Sequence, residues 1–413
     1  MKSDLIIDGD GHVVEVNDTY DTIDPAYLER RPVYTQASKG NIVRLVDGKV
    51  WGSDASSGFA GVNGNLPPPG GKAMHYRRMG TYNPWARLPD MDADHIDVAV
   101  IYPTDELPLT VTPDAGFAAA RAKAYNDWLF NYCQVSPQRL KGIGVVPLQD
   151  VVLAEQELNR AVTELGMVGI QIGCTVREDT LLSDIRLDPF WAEAQRLDVA
   201  VAVHGPALPS FFRGYFDVNR PDQMLEVSHM AHTFAQMLAC SNVVTSGVLE
   251  RFPKLRIAFL EAGGGWVPYW INRMDEYNEV APERWANLSA KPSEYIKSGR
   301  VFFSCEPGDE FIPHFLEHVG EDAMLFASDY LHFDALFVGE TGHDGQPYPG
   351  TVATLKERKD VPESAKRKMM LDNSMKFYNF NEAHLGEIGD PVTRDEPDRI
   401  RNGALPGTIS ARL

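Results

Sequence analysis

Short, nearly continuous apolar runs alternate along most of the chain with longer segments whose apolar residues recur at helical spacing. After a first apolar run at 5–7, the runs that predict strands are 96–103, 140–148, 167–173, 199–204, 256–261, 301–305 and 323–328. The segments that predict helices are 113–135, 151–165, 189–197, 228–251, 264–277, 310–319 and 363–371. Strands that are apolar on both faces are typical of a parallel sheet covered on both sides.

Eight strand–helix units can be counted when the first strand is included. Eight is the number that closes a (β/α)8 TIM barrel, in which the chemistry sits at the C-terminal ends of the strands. An open, doubly wound sheet is the alternative, but no GxGxxG motif follows a strand. The pattern therefore predicts an α/β protein with a (β/α)8 barrel over residues 1–380.

A long Gly- and Pro-rich segment, 16–87, interrupts the alternation after the first strand. Residues 41–51 predict a β-hairpin with Asp47-Gly48 at its turn, and 52–71 predict a loop. So long an insertion suggests a lid or a dimer arm, with a dispensable surface loop as the alternative. The polar residues 381–413 are predicted to form a C-terminal tail.

Composition excludes several classes of function. A formal net charge of −19 over 413 residues argues against nucleic acid or an anionic membrane as the main partner. No stretch approaches the roughly 20 apolar residues of a membrane span, and the N-terminus does not resemble a signal peptide, so a cytoplasmic location is expected. The four cysteines are widely spaced and predict buried free thiols: Cys133, Cys174, Cys240 and Cys305.

Candidate metal ligands lie at the ends of several predicted strands. Asp10 and His12 are two residues apart, so an extended strand would direct both side chains to one face. His204, Glu261 and Asp329 come at the ends of three later strands. Carboxylates combined with imidazoles suit zinc, manganese or iron. The pattern predicts one or two divalent ions at the barrel mouth.

Two of these carboxylates have alternative roles. Asp329 can act as a general base toward a metal-bound water, or can cap the following helix. Glu261 can bridge to a second metal ion, or can orient His204 from outside the ligand set. Glu15 either reaches the same site or forms a salt bridge in a loop.

Other polar and aromatic residues are candidates for the surrounding pocket. His229 and His232 lie three apart on one helix face, where one of them can serve as general acid or bind an anionic substrate group. His332 lies three residues beyond Asp329. Aromatic side chains at or after strand ends are candidates to line a pocket for a bulky apolar or aromatic substrate: Tyr102, Phe211, Phe212, Tyr215, Trp266 and Tyr330.

Several motifs together resemble the amidohydrolase superfamily, in particular the amidohydrolase-2 branch that contains aminocarboxymuconate-semialdehyde decarboxylase and γ-resorcylate decarboxylase. These motifs are the D-x-H of the first strand, VHG at 203–205, GVLERFPKLRIAFLEAGGG at 247–265, SDY at 328–330 and DNSMKFYNF at 372–380. The resemblance spans nearly the whole barrel. It implies a metal ion held by the first-strand motif, His204 and Asp329, and it implies pairing into homodimers.

The chain departs from some relatives at two positions. Its first-strand motif is D-x-H rather than H-x-H, and Glu261 stands where the sixth-strand motif often has His before its glycines. Because Glu261 adds a carboxylate able to support a second cation, the preferred hypothesis is a metal-dependent hydrolase. Its metal-activated water would attack an ester, thioester or amide of a bulky apolar or aromatic carboxylic acid.

Two other functions compete with hydrolysis. Non-oxidative decarboxylation of an aromatic or unsaturated acid is the activity of the best-known members of the branch, and Arg213 is a candidate cation for the substrate carboxylate. A binding protein on a degenerate barrel would be expected to have lost proposed ligands, whereas all four core ligands are present. In each enzyme hypothesis the partner is a small molecule.

Overall fold

Eight parallel strands form one sheet that curls until its first and last strands touch. In chain order, these strands are β1 (Ile7–His12), β5 (Val98–Tyr102), β6 (Leu140–Val145), β7 (Gly169–Ile172), β8 (Ala200–Val203), β9 (Ile257–Phe259), β10 (Val301–Cys305) and β11 (Met324–Phe326). The structure is a computed structural model that describes residues 5–36, 42–53, 78–177, 180–205, 224–330, 335–342 and 344–385. The sheet is the predicted (β/α)8 barrel.

Helices surround the strands. They are α1 (Pro84–Ala93), α2 (Ala115–Cys133), α3 (Val151–Thr163), α4 (Asp188–Arg196), α5 (Met224–Thr245), α6 (Val248–Arg251), α7 (Trp266–Val280), α8 (Pro292–Tyr295), α9 (Ile312–His318), α10 (Thr351–Glu357), α11 (Glu363–Arg367), α12 (Asn373–Phe377) and α13 (Glu382–Leu385). The sequence pattern missed α1, α8, α10, α12 and α13. Helix α1 was hidden because Pro84 and Pro89 both lie within it, although Asn83 caps it by accepting a hydrogen bond from the Trp85 N–H.

The barrel closes between β11 and β1. The Asp329 N–H donates to the Asp10 carbonyl at 3.0 Å, and the His12 N–H donates to the Tyr330 carbonyl at 2.7 Å. Gly9 lies at this seam, where a Cβ would stand only 3.2 Å from the Phe326 carbonyl oxygen. A side chain at this position would press on the backbone of β11, so the close approach at the seam favours glycine.

Apolar side chains fill the barrel and its outer layer separately. Residues such as Val100, Ile143 and Phe302 pack inside, together with the buried aromatic rings of Phe377 and Tyr378 that follow the last strands. Helix faces and the outward faces of the strands form the larger outer layer. This arrangement buries both faces of every strand, as the unbroken apolar runs predicted.

A three-stranded antiparallel sheet occupies part of the insertion after β1. Its strands are β2 (Val33–Gln36), β3 (Ile42–Val46) and β4 (Lys49–Ser53). Asp47 and Gly48 join β3 to β4 with positive φ angles of 55° and 69°, as expected for the predicted two-residue turn. Most of the predicted loop 52–71 and most of the predicted tail 381–413 lie outside the described residues.

A buried ionic network joins this sheet to the barrel. The Arg44 guanidinium donates to the Asp105 carbonyl oxygen at 3.1 Å and lies 3.5 Å from the Glu106 carboxylate. Arg121 pairs with Glu106 from the other side, at 2.7 Å. The Glu15 carboxylate accepts the backbone N–H groups of Asp105 and Glu106 at 2.9 and 3.0 Å. Among the described residues, Glu15 therefore holds the loop after β5 through backbone N–H groups and forms no salt bridge.

Within the described ranges, every helix is too short or too polar to span a lipid bilayer.

Acidification is expected to strengthen this buried network. Burial, together with repulsion from Glu106, raises the pKa of Glu15 to about 7, against lowering contributions from the Asp105 N–H and Arg44. A raised carboxyl pKa stabilises the fold fully below about pH 4.5, and the stabilisation is lost as pH rises through about 7. Between pH 5 and 8, the free energy of unfolding should fall by about 1–3 kcal/mol more in the wild type than in Glu15→Gln.

Urea denaturation at a series of pH values would measure this difference. The exposed Glu29→Gln provides the matched control and should follow the wild type. Equal pH dependence in the wild type and Glu15→Gln would contradict the assignment.

Candidate metal centre

The end of β1 places Asp10 and His12 at the mouth of the barrel. Pairing with β5 is irregular between Asp8 and Gly11, so the register shifts beside these two candidate ligands. The Nδ1 atom of His12 lies 2.7 Å from the Pro103 carbonyl oxygen, so that nitrogen carries the proton and donates. The Nε2 atom is then the basic nitrogen, and it lies 3.5 Å from Asp10 Oδ1.

His204 follows β8 and approaches the same carboxylate. Its Nε2 atom lies 3.3 Å from Asp10 Oδ1, and its ring centroid is 4.9 Å from that of His12. The next residue, Gly205, has a φ of 80°. That left-handed conformation turns the chain immediately after the candidate ligand. The side chain of His204 is fully buried.

Asp329 and Glu261 both adopt left-handed backbone conformations, with φ angles of 50° and 56°. Such angles are uncommon outside glycine and often mark functional positions. The Asp329 carboxylate comes within 3.6 Å of His12 Nε2. The sharp turns at β9 and β11 thus direct both carboxylates toward the barrel mouth.

Glu261 lies between two imidazoles. Its Oε2 atom is 3.4 Å from His204 Nδ1 and 3.1 Å from His232 Nδ1. His232 is on α5, and its side chain is partly exposed. One carboxylate therefore links the buried ligand candidate His204 to a more accessible imidazole.

Ser304 on β10 supports Asp10 from the neighbouring strand. Its hydroxyl donates to Asp10 Oδ2 at 3.0 Å and accepts the Glu261 N–H at 3.0 Å. Burial by itself would raise the pKa of Asp10, but the His204 and His12 imidazoles outweigh it and hold the pKa well below its usual range. Asp10 is thus kept as the carboxylate, the form that binds a cation.

The donor atoms fit a divalent cation. One ligand atom from each of Asp10, His12 and His204 lies within 4.8 Å of the other two. Asp10 Oδ1 and the Nε2 atom of His204 make no hydrogen bond to any described residue, although both atoms are buried. Burying polar atoms in this state is costly, and a metal ion offsets the cost by accepting their lone pairs. Two imidazoles with one or more carboxylates suit Zn²⁺, Mn²⁺ or Fe²⁺.

The insertion contributes supporting residues that the sequence pattern missed. Arg87 of α1 is fully buried, donates to the His12 carbonyl at 2.7 Å, and stacks 3.7 Å from the centre of the Tyr330 ring. The Tyr330 hydroxyl donates to Asp90 on the same helix. These contacts fix the backbone on both sides of the barrel seam. Nothing in the sequence distinguished Arg87 from a surface arginine.

The predicted aromatic residues occupy different places. Tyr102 lies below the centre, with its ring 5.4 Å from that of His204 and its hydroxyl 2.7 Å from the Tyr378 hydroxyl. Tyr330 is buried against α1, and Trp266 packs edge-on against Phe303 at 5.7 Å. The remaining candidates lie outside the described residues or have undescribed side chains: Phe211, Phe212, Arg213, Tyr215, His229 and His332.

Comparison with known proteins gives a consistent set of relatives. A family model described as Amidohydrolase (Amidohydro_2) matches residues 7–380. A 2-amino-3-carboxymuconate-6-semialdehyde decarboxylase from Dictyostelium discoideum is 26% identical over 314 residues, which cover 73% of this chain and 77% of that protein. A γ-resorcylate decarboxylase from Rhodococcus jostii is 28% identical over 268 residues, which cover 59% of this chain and 76% of that protein.

Solved structures share the fold. An amidohydrolase from Mycobacterium avium subsp. paratuberculosis superimposes with a TM-score of 0.68 at 21% identity, covering 91% of this chain and 99% of that one. A 5-carboxyvanillate decarboxylase from Novosphingobium aromaticivorans, solved with manganese and 3-methoxy-4-hydroxy-5-nitrobenzoic acid, has a TM-score of 0.65 at 20% identity, covering 91% and 97%. At these identities the likeness establishes the barrel, not the reaction.

Removing the Ser304 hydroxyl is expected to weaken metal binding. Ser304→Ala leaves Asp10 Oδ2 and the Glu261 N–H without their shared partner, and loss of such outer contacts typically costs about 10–100-fold in metal affinity. Competition with a fluorescent chelator would measure the dissociation constant for Mn²⁺. Ser298→Ala, which removes a hydroxyl that donates to the Tyr295 carbonyl at 2.6 Å, is the matched control. Unchanged affinity in Ser304→Ala would show that Asp10 needs no such support.

Proposed function

The chain belongs to the amidohydrolase-2 family, and from that membership we propose that it is a divalent-metal-dependent decarboxylase of an aromatic carboxylic acid. The observation that best supports this proposal is the buried group of Asp10, His12 and His204 at the barrel mouth. The chain is also similar in sequence to several decarboxylases. Manganese is the proposed metal, since the related 5-carboxyvanillate and dihydroxybenzoic acid decarboxylase structures bind it.

The preference for hydrolysis is corrected by these relatives. The relatives that are similar in sequence and named by activity include decarboxylases of aminocarboxymuconate semialdehyde, γ-resorcylate and 6-methylsalicylate. The hydrolase and thioesterase assignments were therefore wrong. They rested on counting Glu261 as a bridge to a second cation, and a carboxylate-rich centre is equally compatible with binding a substrate carboxylate.

The surroundings of Glu261 support a single ion. Its Oε2 atom lies between His204 Nδ1 and His232 Nδ1, at 3.4 and 3.1 Å. A carboxylate beside the Nδ1 atom of a ligand histidine favours the tautomer with its proton on Nδ1, which leaves Nε2 unprotonated and able to bind the metal. We therefore assign Glu261 to orienting His204, with Asp10, His12, His204 and Asp329 as the ligands of one ion.

The bound cation would supply positive charge that attracts the substrate carboxylate and a neighbouring ring oxygen. The carboxyl group of Asp329 carries the proton on one of its oxygens. It donates this proton to the ring carbon that bears the substrate carboxylate. The ring carbon–carboxylate bond then breaks, its electron pair returns to the ring, and carbon dioxide leaves. Asp329 regains its proton from water before the next turnover.

His232 is proposed to face the substrate. It is the partly exposed member of the pair with Glu261, so a protonated imidazole there can hold an anionic substrate group without losing its carboxylate partner. His229 remains a predicted general acid, and Phe211, Phe212, Tyr215 and Arg213 remain predicted to contact the substrate. The dimer and the cytoplasmic location likewise remain predictions, which light scattering and fractionation would test.

A substrate panel separates decarboxylation from hydrolysis. Protein reconstituted with Mn²⁺ should release carbon dioxide from at least one of γ-resorcylate, 6-methylsalicylate and 5-carboxyvanillate, and should not cleave aryl esters, thioesters or amides of the same acids. In deuterium oxide the product should carry one deuterium at the carbon that lost the carboxylate. Chelation should abolish the activity, and Mn²⁺ should restore it. Hydrolysis of the esters, thioesters or amides, without carbon dioxide release from any of the three acids, would contradict the proposal.

Loss of the Asp329 carboxyl should remove proton transfer. Asp329→Asn cannot donate an acidic proton, so kcat is expected to fall about 10²–10⁴-fold. Metal content is measured on the same samples to separate chemistry from metal loss. The exposed Asp322→Asn, two residues before the start of β11, is the control and should retain wild-type kcat. Wild-type kcat in a metal-loaded Asp329→Asn would assign the proton to another group.

A further inference from the structure

A second group of possible metal ligands lies on the outer face of α9, away from the barrel mouth. Ile312 and Phe315 bury one face of this helix against the barrel. His314, Glu317 and His318 lie on the opposite face and are exposed. Because residues three and four positions apart are neighbours on a helix, His314 faces both of the others.

The side chains are already close to one another. The two imidazole centroids are 4.5 Å apart with their planes at 71°. His318 Nε2 lies 3.7 Å from Glu317 Oε2. One ligand atom from each of the three residues lies within 4.8 Å of the other two. Ligands bound to one ion at about 2.0–2.2 Å lie roughly 3 Å apart. Small rotations of exposed side chains would therefore complete the geometry.

The backbone beneath the group is held firmly. The Phe315 ring packs edge-on against Phe303 of β10, with centroids 5.7 Å apart, and Ile312 is fully buried. The Cα–Cβ bonds of His314 and His318 are thus fixed relative to each other, and only side-chain rotamers must be ordered on binding. That cost is small for two imidazoles, each with two rotatable bonds.

We propose that His314 and His318, with Glu317, form an exposed second metal site that binds Zn²⁺, Ni²⁺ or Cu²⁺. Two neutral imidazole nitrogens and one carboxylate oxygen supply three ligands, and water completes the coordination. The site lies on a helix and is distinct from the centre at the barrel mouth, whose residues lie at the ends of strands.

The two sites should differ in metal preference. Affinity for nitrogen ligands rises from Mn²⁺ through Ni²⁺ to Cu²⁺, with Zn²⁺ below copper. At an exposed site without enclosing hydrogen bonds, selection among metals depends only on the intrinsic affinity of the ligands for each ion. The site should therefore bind Ni²⁺, Cu²⁺ or Zn²⁺ and leave Mn²⁺ in solution. The buried centre contains Asp10 and Asp329, and such carboxylate oxygens also suit Mn²⁺.

Equilibrium dialysis of the full-length protein, already loaded with Mn²⁺, would test the proposal. Ni²⁺ is added at increasing concentration, and both metals are quantified in the protein by elemental mass spectrometry. The wild type should take up one Ni²⁺ per chain while retaining its Mn²⁺. In His314→Gln and in His318→Gln, the dissociation constant for this Ni²⁺ should rise at least about tenfold, because a single imidazole remains.

His95→Gln serves as the matched control, because it removes an exposed histidine that belongs to neither group, and it should bind Ni²⁺ as the wild type does. Circular dichroism checks that each variant is folded. The proposal is overturned if the wild type takes up no Ni²⁺ beyond exchange with Mn²⁺, or if both α9 variants bind it as tightly as the wild type. Neither result depends on which reaction the enzyme catalyses.

Discussion

The seam between the last and first strands is the constraint on which the metal centre depends. Two backbone hydrogen bonds, from Asp329 to Asp10 and from His12 to Tyr330, join residues more than 300 positions apart in the chain. The same four residues include three of the proposed ligands. Barrel closure and ligand assembly are therefore one event, and a shift of register at the seam would move Asp10 and Asp329 apart.

Burial of charge at the centre explains why so many supporting groups surround it. Asp10, Asp329 and His204 lie in the barrel interior, where an uncompensated charge is costly. Ser304 stabilises one carboxylate, and Arg87 holds the carbonyl of His12. Much of this support comes from the insertion after β1, which connects to the barrel through Arg87 and through the ionic network of Glu106. The described part of the insertion thus stabilises the backbone and loops around the metal centre.

The two clusters of histidine and carboxylate differ in what they can do. The buried cluster fixes its nitrogens through a carbonyl and through Glu261, so it is organised before any ion or substrate arrives. The cluster on α9 is exposed and held only by helix geometry. Metal content alone would not distinguish a dinuclear centre from a mononuclear centre with an occupied surface site. If two ions per chain are found, the ion at the barrel mouth and the ion on α9 must therefore be assigned separately.

Local pattern alone determined the barrel, most strand and helix positions, and the strand ends that carry Asp10, His12, His204, Glu261 and Asp329. These features follow from apolar periodicity and from the rule that parallel strands present their C-terminal ends together. Tertiary structure decided what each carboxylate contacts. Glu261 lies between two imidazoles, and Glu15 accepts hydrogen bonds from backbone N–H groups. Neither contact could be predicted, because the neighbours of these side chains come from distant segments of the chain. Arg87 could not be recognised in advance, since its burial depends on how a helix of the insertion docks against a seam formed by the two ends of the barrel.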